Sequence, residues 1–373
     1  MRNFKKYRSI LLLTIPLLIL FQVQLTNASS LDVISEKEIY SVSEEDAYKV
    51  AEKFLITHDL EDKIDNLVSV EAVYDLNDQK IGYYFNLINS YVLVSASKEY
   101  SPVFAAGGGK LSLSQIDDNG KLYYLGGLSL IKATNSDQVL EIINLKFANK
   151  PVSKKQYNLQ KNPNSKAAWS NYLNDSRLIT PLSILTEKKL SVDIFNQYDS
   201  NVNSLYRNSA CGPTTMAAIT EYWRTVKGKS LLDGLNTYSS KGAMINHFYS
   251  NHGGSLLGMS VSTLRSGLEN HAGHGNAYST ATASVISGYN SYKTEINNGR
   301  PVAIKFDRWF TLFEPDNDYA YDYHWVVGKG YAYDVFDTMF IINNNVASTE
   351  NGQTQYLDFP TNEPILTLVK FEI

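Results

Sequence analysis

The stretch "NSACGPTTMAAITEYW", Asn208 to Trp223, contains the only cysteine in the 373-residue chain. Pro213 suits the first turn of a helix, because the N–H that proline lacks would have no intrahelical partner there. Gly228 is a natural helix stop. The apolar residues that recur at helical spacing between them are Met216, Ile219 and Trp223. The pattern therefore predicts that Cys211 lies at the N-terminus of a helix.

A helix N-terminus favours the ionised form of Cys211. Backbone N–H groups and the helix dipole stabilise a thiolate, and such settings lower a cysteine pKa from ~8.5 to between ~3.5 and ~7.5. A single cysteine cannot form a disulfide within its own chain, which leaves a buried small hydrophobe, an intermolecular bridge or a reactive thiol. Its place at the helix start favours the reactive thiol.

The first 28 residues have the pattern of a secretory signal peptide. Four basic residues precede an apolar run from Ile10 to Phe21, and "LTNASS" offers small residues for cleavage after Ala28. No later apolar run is long enough to cross a bilayer. We therefore expect a secreted, extracellular protein without a membrane anchor.

Charge and composition exclude some partners. Without the predicted signal peptide the chain keeps 30 basic and 38 acidic residues, a net charge of −8. This balance argues against nucleic acid and anionic membrane surfaces as partners. With 43% hydrophobic residues the chain has ample material for packed cores.

The composition divides the chain into four parts. After the signal peptide, residues 29–150 mix a helix with several strand-like runs, which predicts a small α+β domain. Residues 151–185 are a predicted linker, since "NKPVSKKQYNLQKNPNSK" at 149–166 has five lysines, two prolines and no acids. Residues 186–373 return to a globular composition and contain Cys211. Proteases cut such exposed connectors easily.

Ser43 is predicted to cap the helix of the N-terminal part, which would run from Glu44 to His58. Its apolar face consists of Ala47, Val50, Ala51, Phe54 and Leu55. His58, at the end of this helix, is expected on the surface.

His324 is the strongest candidate for a base that activates the thiol. It begins "HWVVGKGYAYD", whose apolar residues and glycines predict a buried strand that holds the ring rigidly. A structural histidine is the alternative. His271 and His274 form an H-x-x-H pair that is able to contact a metal, but no carboxylate or cysteine ligand is near. We therefore predict no metal site and no cofactor.

A possible orienting group for His324 follows in "TMFIINNNV". A strand over Met339 to Ile342 ends in three asparagines, and an Asn there is able to accept the ring N–H of the histidine. Side chains alternate along a strand, so Asn343 and Asn344 point to opposite faces and only one of them serves. A plain turn is the alternative.

Four motifs occur in an order that resembles the papain clan of cysteine peptidases. They are "ACGPTTMAAITEYW", "GRPVAI", "HWVVGKGY" and "FIINNN", and the pattern is closest to the bacteriocin-leader-peptidase-like family. The resemblance implies an α+β papain-like fold, in which the nucleophile helix packs on an antiparallel sheet, and Cys-His-Asn chemistry. Alignment with leader peptidases favours Asn344, and alignment with streptopain favours Asn343.

The resemblance also implies a glutamine that helps to form an oxyanion hole. "VDIFNQYDSN" supplies Gln197, although its separation from Cys211 is longer than in papain. In the N-terminal part, "GYYFNLINSYVLVSASKEYSPVFAAG" resembles the propeptide of streptopain-like peptidases. This likeness implies a zymogen inhibited by its own N-terminal domain. A permanent accessory domain is the alternative.

Taken together, the resemblance implies a secreted cysteine peptidase that acts on peptide or protein substrates. One alternative is a Cys-His amidase or acyl-transfer enzyme acting on cell-wall peptides or amines. The 113 positions between Cys211 and His324 argue against it. Another is a non-catalytic surface module, which the presence of all four residue types disfavours. Acidic residues in "EPDNDYAYDYHW" favour basic substrates if this loop lines the cleft; a solvated loop is the alternative.

Overall fold

The computed structural model describes residues 40–58, 60, 62, 64–109, 111–115, 119–146, 159–173, 186–307, 323–333 and 338–373. The predicted signal peptide, most of the predicted linker and the acidic stretch before Tyr323 lie outside the described residues. None of the helices in the described part of the chain combines the length and apolarity that crossing a membrane requires.

Helices and strands alternate irregularly along the described residues, which confirms the predicted α+β class. The helices are α1 Glu44–Thr57, α2 Ser136–Lys146, α3 Ser165–Leu173, α4 Cys211–Thr225, α5 Lys241–Asn251, α6 Val261–Gly273, α7 Tyr289–Asn297, α8 Glu350–Gln353 and α9 Phe359–Asn362. The strands are β1 Leu67–Tyr74, β2 Lys80–Leu87, β3 Ser90–Ser95, β4 Val103–Gly108, β5 Ser112–Gln115, β6 Lys121–Tyr124, β7 Ser129–Ala133, β8 Thr186–Lys189, β9 Thr282–Ile286, β10 Val302–Phe306, β11 His324–Tyr333, β12 Thr338–Asn343, β13 Thr354–Asp358 and β14 Leu366–Glu372.

The strands form one continuous sheet. Its order is β5-β7-β6-β1-β2-β3-β4-β13-β12-β11-β10-β14-β9, with β8 paired to β11. All pairs from β8 onward are antiparallel, as predicted for the part that contains Cys211. The junction between the predicted domains is the antiparallel pair β4–β13, in which Gly107 lies opposite Gln355 and Ala105 opposite Leu357. The sheet therefore runs across the boundary that the sequence predicts.

The hydrophobic cores follow the same continuity. One buried cluster joins Phe104 of β4 to Phe340 and Leu357 of β12 and β13. Another joins Phe54 of α1 to Tyr356 of β13. Separating the N-terminal part from the rest would expose both sets of apolar side chains to water. Such exposure costs about 25 cal/mol of free energy per Å² of apolar surface. The two parts are therefore bound through packing as well as through the sheet.

Helix α1 begins as the sequence predicts, but the histidine that follows its last turn lies in a different environment from the expected one. The Ser43 side chain accepts a hydrogen bond from the Asp46 N–H at 3.1 Å, and all five predicted apolar residues are buried. His58, however, is only 5% exposed, so the prediction of a surface histidine is wrong. Its ring stacks on Phe54 and lies 3.0 Å from a Glu187 carboxylate oxygen. Glu187 belongs to β8, a strand that sequence reasoning placed in no element.

Part of the predicted linker has regular structure. Helix α3 runs within residues 151–185, and its Trp169 is 1% exposed. The indole N–H donates to the Tyr100 carbonyl at 3.0 Å, which attaches this helix to the N-terminal part.

Helix α4 packs on the antiparallel strands β10, β11 and β14, which confirms the arrangement that the sequence predicts. Met216, Ile219 and Trp223 are buried in one cluster with Trp325 of β11 and Phe371 of β14. The helix ends at Thr225, and Gly228 follows with a φ of +68°, a backbone region that glycine enters without strain. These contacts fix the start of α4 against the start of β11.

Candidate active site

Cys211 is the first residue of α4 and is 3% exposed. The following glycine allows another segment to approach closely, because a Cβ at Gly212 would lie 2.8 Å from the Met259 sulfur. The Met259 carbonyl in turn accepts a hydrogen bond from the indole of Trp325 at 2.9 Å. The loop around Met259 therefore packs against both the cysteine helix and the strand that begins at His324.

Burial is the largest influence on the Cys211 thiol and raises its pKa to about 11. The main-chain N–H groups of Trp325, Gly212 and Cys211 itself, together with the Lys305 ammonium, act in the opposite direction but are outweighed. The prediction of a lowered pKa is therefore wrong, although the helix N-terminus acts in the predicted direction.

His324 is the first residue of β11, as predicted, and it is 5% exposed. Its Nε2 lies 2.9 Å from the main-chain carbonyl of Asn344. A carbonyl only accepts hydrogen bonds, so Nε2 carries the proton and the lone pair of the neutral ring is on Nδ1. Burial lowers the pKa of His324 to about 4. The ring is thus neutral near pH 7, with Nδ1 as the nitrogen able to accept a proton.

His324 and Cys211 are neighbours through Trp325. Trp325, the residue that directly follows His324, is buried in the same cluster as Cys211. The strand start and the helix start therefore meet at one point of the fold, which is where a thiol and its base have to meet.

The two candidate asparagines differ in their environment. Asn344 contacts His324 through its main-chain carbonyl, while its side chain donates to the Gly352 carbonyl at 3.0 Å and accepts from the Val346 N–H at 3.0 Å. The Asn343 side chain lies 3.4 Å from the Val192 carbonyl. Sequence reasoning expected a side-chain amide to hold the ring; the main chain of Asn344 makes this contact.

Sequence reasoning missed Asn345, the third asparagine of the run. Its side-chain amide donates to Thr215 of α4 at 2.8 Å and to the Trp325 carbonyl at 3.0 Å, and the residue is 1% exposed. Its φ of +65° is one that asparagine adopts more readily than most residues. Asn345 therefore ties the cysteine helix to the histidine strand. The run of three asparagines was the only available signal.

Gln197 lies in the same network. Its main-chain N–H donates to the Asn345 carbonyl at 2.9 Å, and its side-chain amide donates to the Arg207 carbonyl at 2.9 Å. Arg207 is in the turn that leads into α4, and Gln197 is 3% exposed. The structure therefore brings Gln197 to the segment just before Cys211, and its role in an oxyanion hole stays a prediction.

The two histidines of the H-x-x-H motif lie in different environments. His271 is buried on α6, while the largely exposed His274 lies 3.3 Å from an Asp233 carboxylate oxygen. The acidic residues Glu314, Asp316, Asp318 and Asp322 lie outside the described residues.

A buried thiol at a helix start beside a rigidly held histidine defines the class of a papain-type cysteine peptidase. Residues 189–363, a little under half of the chain, match the Peptidase_C39 like family. This segment is accordingly a cysteine peptidase domain, a hydrolase, of that family in the papain clan, which confirms the resemblance inferred from the four motifs. The match begins near the predicted start of the domain at residue 186.

Solved structures give more distant matches. They include a protein described as a C39-like peptidase from Bacillus anthracis, at 14% identity and a TM-score of 0.31, covering 50% of this chain and 98% of that one. Procathepsin L 3 of the Tenebrio molitor larval midgut matches at 15% and 0.30, covering 64% and 88%. Procathepsin B of Trypanosoma congolense matches at 12% and 0.29, covering 63% and 98%. A comparison with curated proteins gave no match.

Proposed function

We propose that the chain is a secreted cysteine peptidase, made as a zymogen, in which Cys211 is the nucleophile and His324 the base. The supporting observation is that Cys211, at the start of α4, is buried in one cluster with Trp325, and that His324, the residue before Trp325, holds its Nε2 2.9 Å from the Asn344 carbonyl and so keeps its proton there. This tautomer leaves Nδ1 to take up the thiol proton. Peptide or protein substrates follow from the family to which residues 189–363 belong.

The reaction proceeds in two acyl-transfer steps. The sulfur of Cys211 loses its proton to Nδ1 of His324 and bonds to the scissile carbonyl carbon. The carbon–nitrogen bond then breaks, and the leaving amine takes the proton from His324. Water, losing a proton to His324, hydrolyses the thioester and releases the acid, and the thiol is restored.

Two amides support this chemistry in the proposed mechanism. Asn344 holds the ring through its carbonyl, which keeps the proton on Nε2 and stabilises the imidazolium that forms. Gln197 has one amide N–H on the Arg207 carbonyl, so its other N–H is the donor assigned to the oxyanion, together with the Cys211 N–H. Asn343 is the alternative orienting residue, which a variant test distinguishes below.

The zymogen proposal is supported by the closed state of the site. Cys211 and His324 are both almost fully buried, and burial favours the neutral form of each, so the reactive ion pair is disfavoured. The N-terminal part also supports the Asn344 loop. Gln355 of β13 donates to the Gly108 carbonyl of β4 at 3.1 Å and to the Gly352 carbonyl at 2.9 Å. Release or rearrangement of the N-terminal part would therefore act on the loop that holds His324.

The test compares the purified full-length protein with its Cys211→Ala variant, each before and after limited proteolysis at the connector 149–166. Cleavage of casein and of a fluorogenic peptide set is measured together with labelling by an irreversible thiol-peptidase inhibitor. We expect activity and labelling to rise after the cut, and neither in the variant.

Each other result has a distinct meaning. Full activity before the cut contradicts the zymogen and leaves the N-terminal part as a permanent accessory domain. Prompt labelling without peptide cleavage points to transfer or cell-wall amide chemistry at the same thiol. Equal activity of Cys211→Ala contradicts the proposed nucleophile.

A further inference from the structure

Three histidines meet away from the catalytic pair. His247 lies on α5, His252 directly follows that helix, and His271 lies on α6. One ring nitrogen from each lies within 4.8 Å of the other two, the only such cluster of potential metal ligands among the described residues. Two of the rings are half-buried and the third is buried, so the cluster is partly shielded and still accessible from solvent.

The main chain determines which nitrogen of His271 faces the cluster. Its Nε2 lies 2.8 Å from the main-chain carbonyl of Asp233, which requires the proton on Nε2 and leaves the lone pair on Nδ1. That Nδ1 lies 3.3 Å from Nε2 of His252. Two nitrogens bound at ~2.0–2.1 Å to a tetrahedral ion are ~3.3–3.4 Å apart. The spacing of this pair therefore matches two ligands of one ion.

We propose that His247, His252 and His271 bind a divalent transition-metal ion of the zinc class. Imidazole nitrogens suit zinc, copper and nickel, whereas calcium and magnesium prefer oxygen ligands. Three protein ligands leave the fourth tetrahedral position to water. The Asp233 carbonyl is the outer contact that metal-binding histidines usually have on their second nitrogen.

Binding requires a rearrangement of one proton. With the lone pair of His271 on Nδ1, His252 donates its Nε2–H in the metal-free state. The ion takes the place of that proton, and Nδ1 of His252 takes up another, so the ring stays neutral.

The position of the cluster indicates a structural role. An ion there joins the end of α5 to α6 and, through Asp233, to the segment that follows α4. Helix α6 packs closely on the cysteine helix at Gly267, where a Cβ would lie 2.8 Å from the Met216 sulfur and 3.1 Å from the His252 carbonyl. The ion would therefore stabilise the support on which Cys211 is placed.

The test uses full-length protein with Cys211→Ala, which removes the thiol as a competing zinc ligand and makes the result independent of peptidase activity. After treatment with a chelator, Zn²⁺ alone is titrated in by calorimetry and the bound metal is counted. We expect one Zn²⁺ per chain. At a free Zn²⁺ concentration of about 100 Kd, we expect a ~100-fold rise in the folded-to-unfolded ratio. Co²⁺ in its place is expected to give the absorption spectrum of a tetrahedral site.

Two ligand variants and a matched control locate the site. His247→Ala and His271→Gln are each expected to weaken Zn²⁺ binding by more than ~10-fold, since even outer-contact changes cost ~10–100-fold. His274→Ala, an exposed neighbour outside the cluster, is expected to bind like the parent. If His271→Gln fails to fold, the half-buried His247→Ala and the Co²⁺ spectrum decide. Absence of stoichiometric Zn²⁺ binding by the folded parent, or unchanged affinity in His247→Ala, overturns the proposal.

Discussion

His324 and His271 are held in the same way and face different neighbours. Each places Nε2 on a main-chain carbonyl, that of Asn344 at 2.9 Å and that of Asp233 at 2.8 Å. In each case burial lowers the pKa, so that Nδ1 keeps its lone pair near pH 7. Both rings are therefore neutral imidazoles that carry the lone pair on Nδ1.

What lies nearby distinguishes their chemistry. His324 precedes Trp325, which is buried in one cluster with Cys211, and in the proposed mechanism its lone pair takes the thiol proton. The lone pair of His271 points to a second imidazole, with a third close by, so it is suited to share a cation. A histidine whose Nε2 is fixed on a main-chain carbonyl is therefore suited to either role. The group that faces its Nδ1 determines whether it transfers a proton or binds a metal.

The largest expected effect is a loss of activity when His324 is substituted, whereas substitution of His271 is expected to lower stability. We expect His324→Ala to lower kcat/KM of the activated enzyme by at least ~10³-fold, because removal of a base that acts as a unit with its nucleophile is that costly. The double variant with Cys211→Ala should lose no more than either single variant. Steady-state kinetics on activated protein is the measurement.

His271→Ala is the counterpart in this comparison. It leaves the Asp233 carbonyl without its donor, so we expect a loss of about 1–3 kcal/mol in the free energy of unfolding. Chemical denaturation measures it. A large fall in kcat/KM of His271→Ala without a change in the free energy of unfolding would contradict the separate roles of the two sites.

The sequence predicts the proton-transfer site far better than the histidine cluster. A proline at a helix start and an apolar run after His324 are local signals, so Cys211 and His324 are placed correctly at the starts of α4 and β11. The cluster has no local signal, because its histidines come from two helices. The local H-x-x-H spacing indicated His274 instead, which pairs with Asp233.

The parts of the fold that sequence reasoning missed are also non-local. The pair β4–β13 joins strands about 250 positions apart, as the register of Gly107 with Gln355 shows, and no local pattern specifies it. His58 is buried because Tyr356 and Glu187 pack on it from later strands. The raised pKa of Cys211 also has a non-local cause. The helix start can be read from the sequence, but the depth of burial that raises the pKa cannot.

A smaller effect is expected from the asparagines. Asn344→Ala keeps the carbonyl that holds His324 but removes the side-chain bonds to Gly352 and Val346 that fix this carbonyl. We expect kcat/KM to fall by ~10–100-fold, the usual cost of loosening an outer contact. The acidic limb of the pH profile should shift as well, because the ring is less firmly held.

Asn343→Ala is the matched control for this prediction. Its amide reaches only the Val192 carbonyl at 3.4 Å among the bonds recorded for its side chain in the described residues, so we expect a much smaller loss. A larger loss in Asn343→Ala than in Asn344→Ala would assign the orienting role to Asn343, and His324 would then be held by a side chain, unlike His271.

The last prediction concerns the free energy of unfolding at acid pH. The pKa of His324 is about 4 in the folded protein and ~6.5 in an unfolded chain, so the unfolded chain binds more protons between these values. The free energy of unfolding therefore falls as the pH falls from ~6.5 towards about 4, by about 3 kcal/mol for this ring. Asp358, whose pKa burial raises to about 6, has the opposite effect as the pH falls.

His324→Gln isolates the contribution of His324, because glutamine retains an amide N–H for the Asn344 carbonyl and does not titrate. Chemical denaturation at several pH values should give a shallower acid dependence for His324→Gln than for the unsubstituted protein, while Asp358 contributes equally to both. Identical slopes for the unsubstituted protein and His324→Gln would mean that His324 titrates in the folded protein as it does when unfolded. The first of the two held histidines would then not be kept neutral by burial.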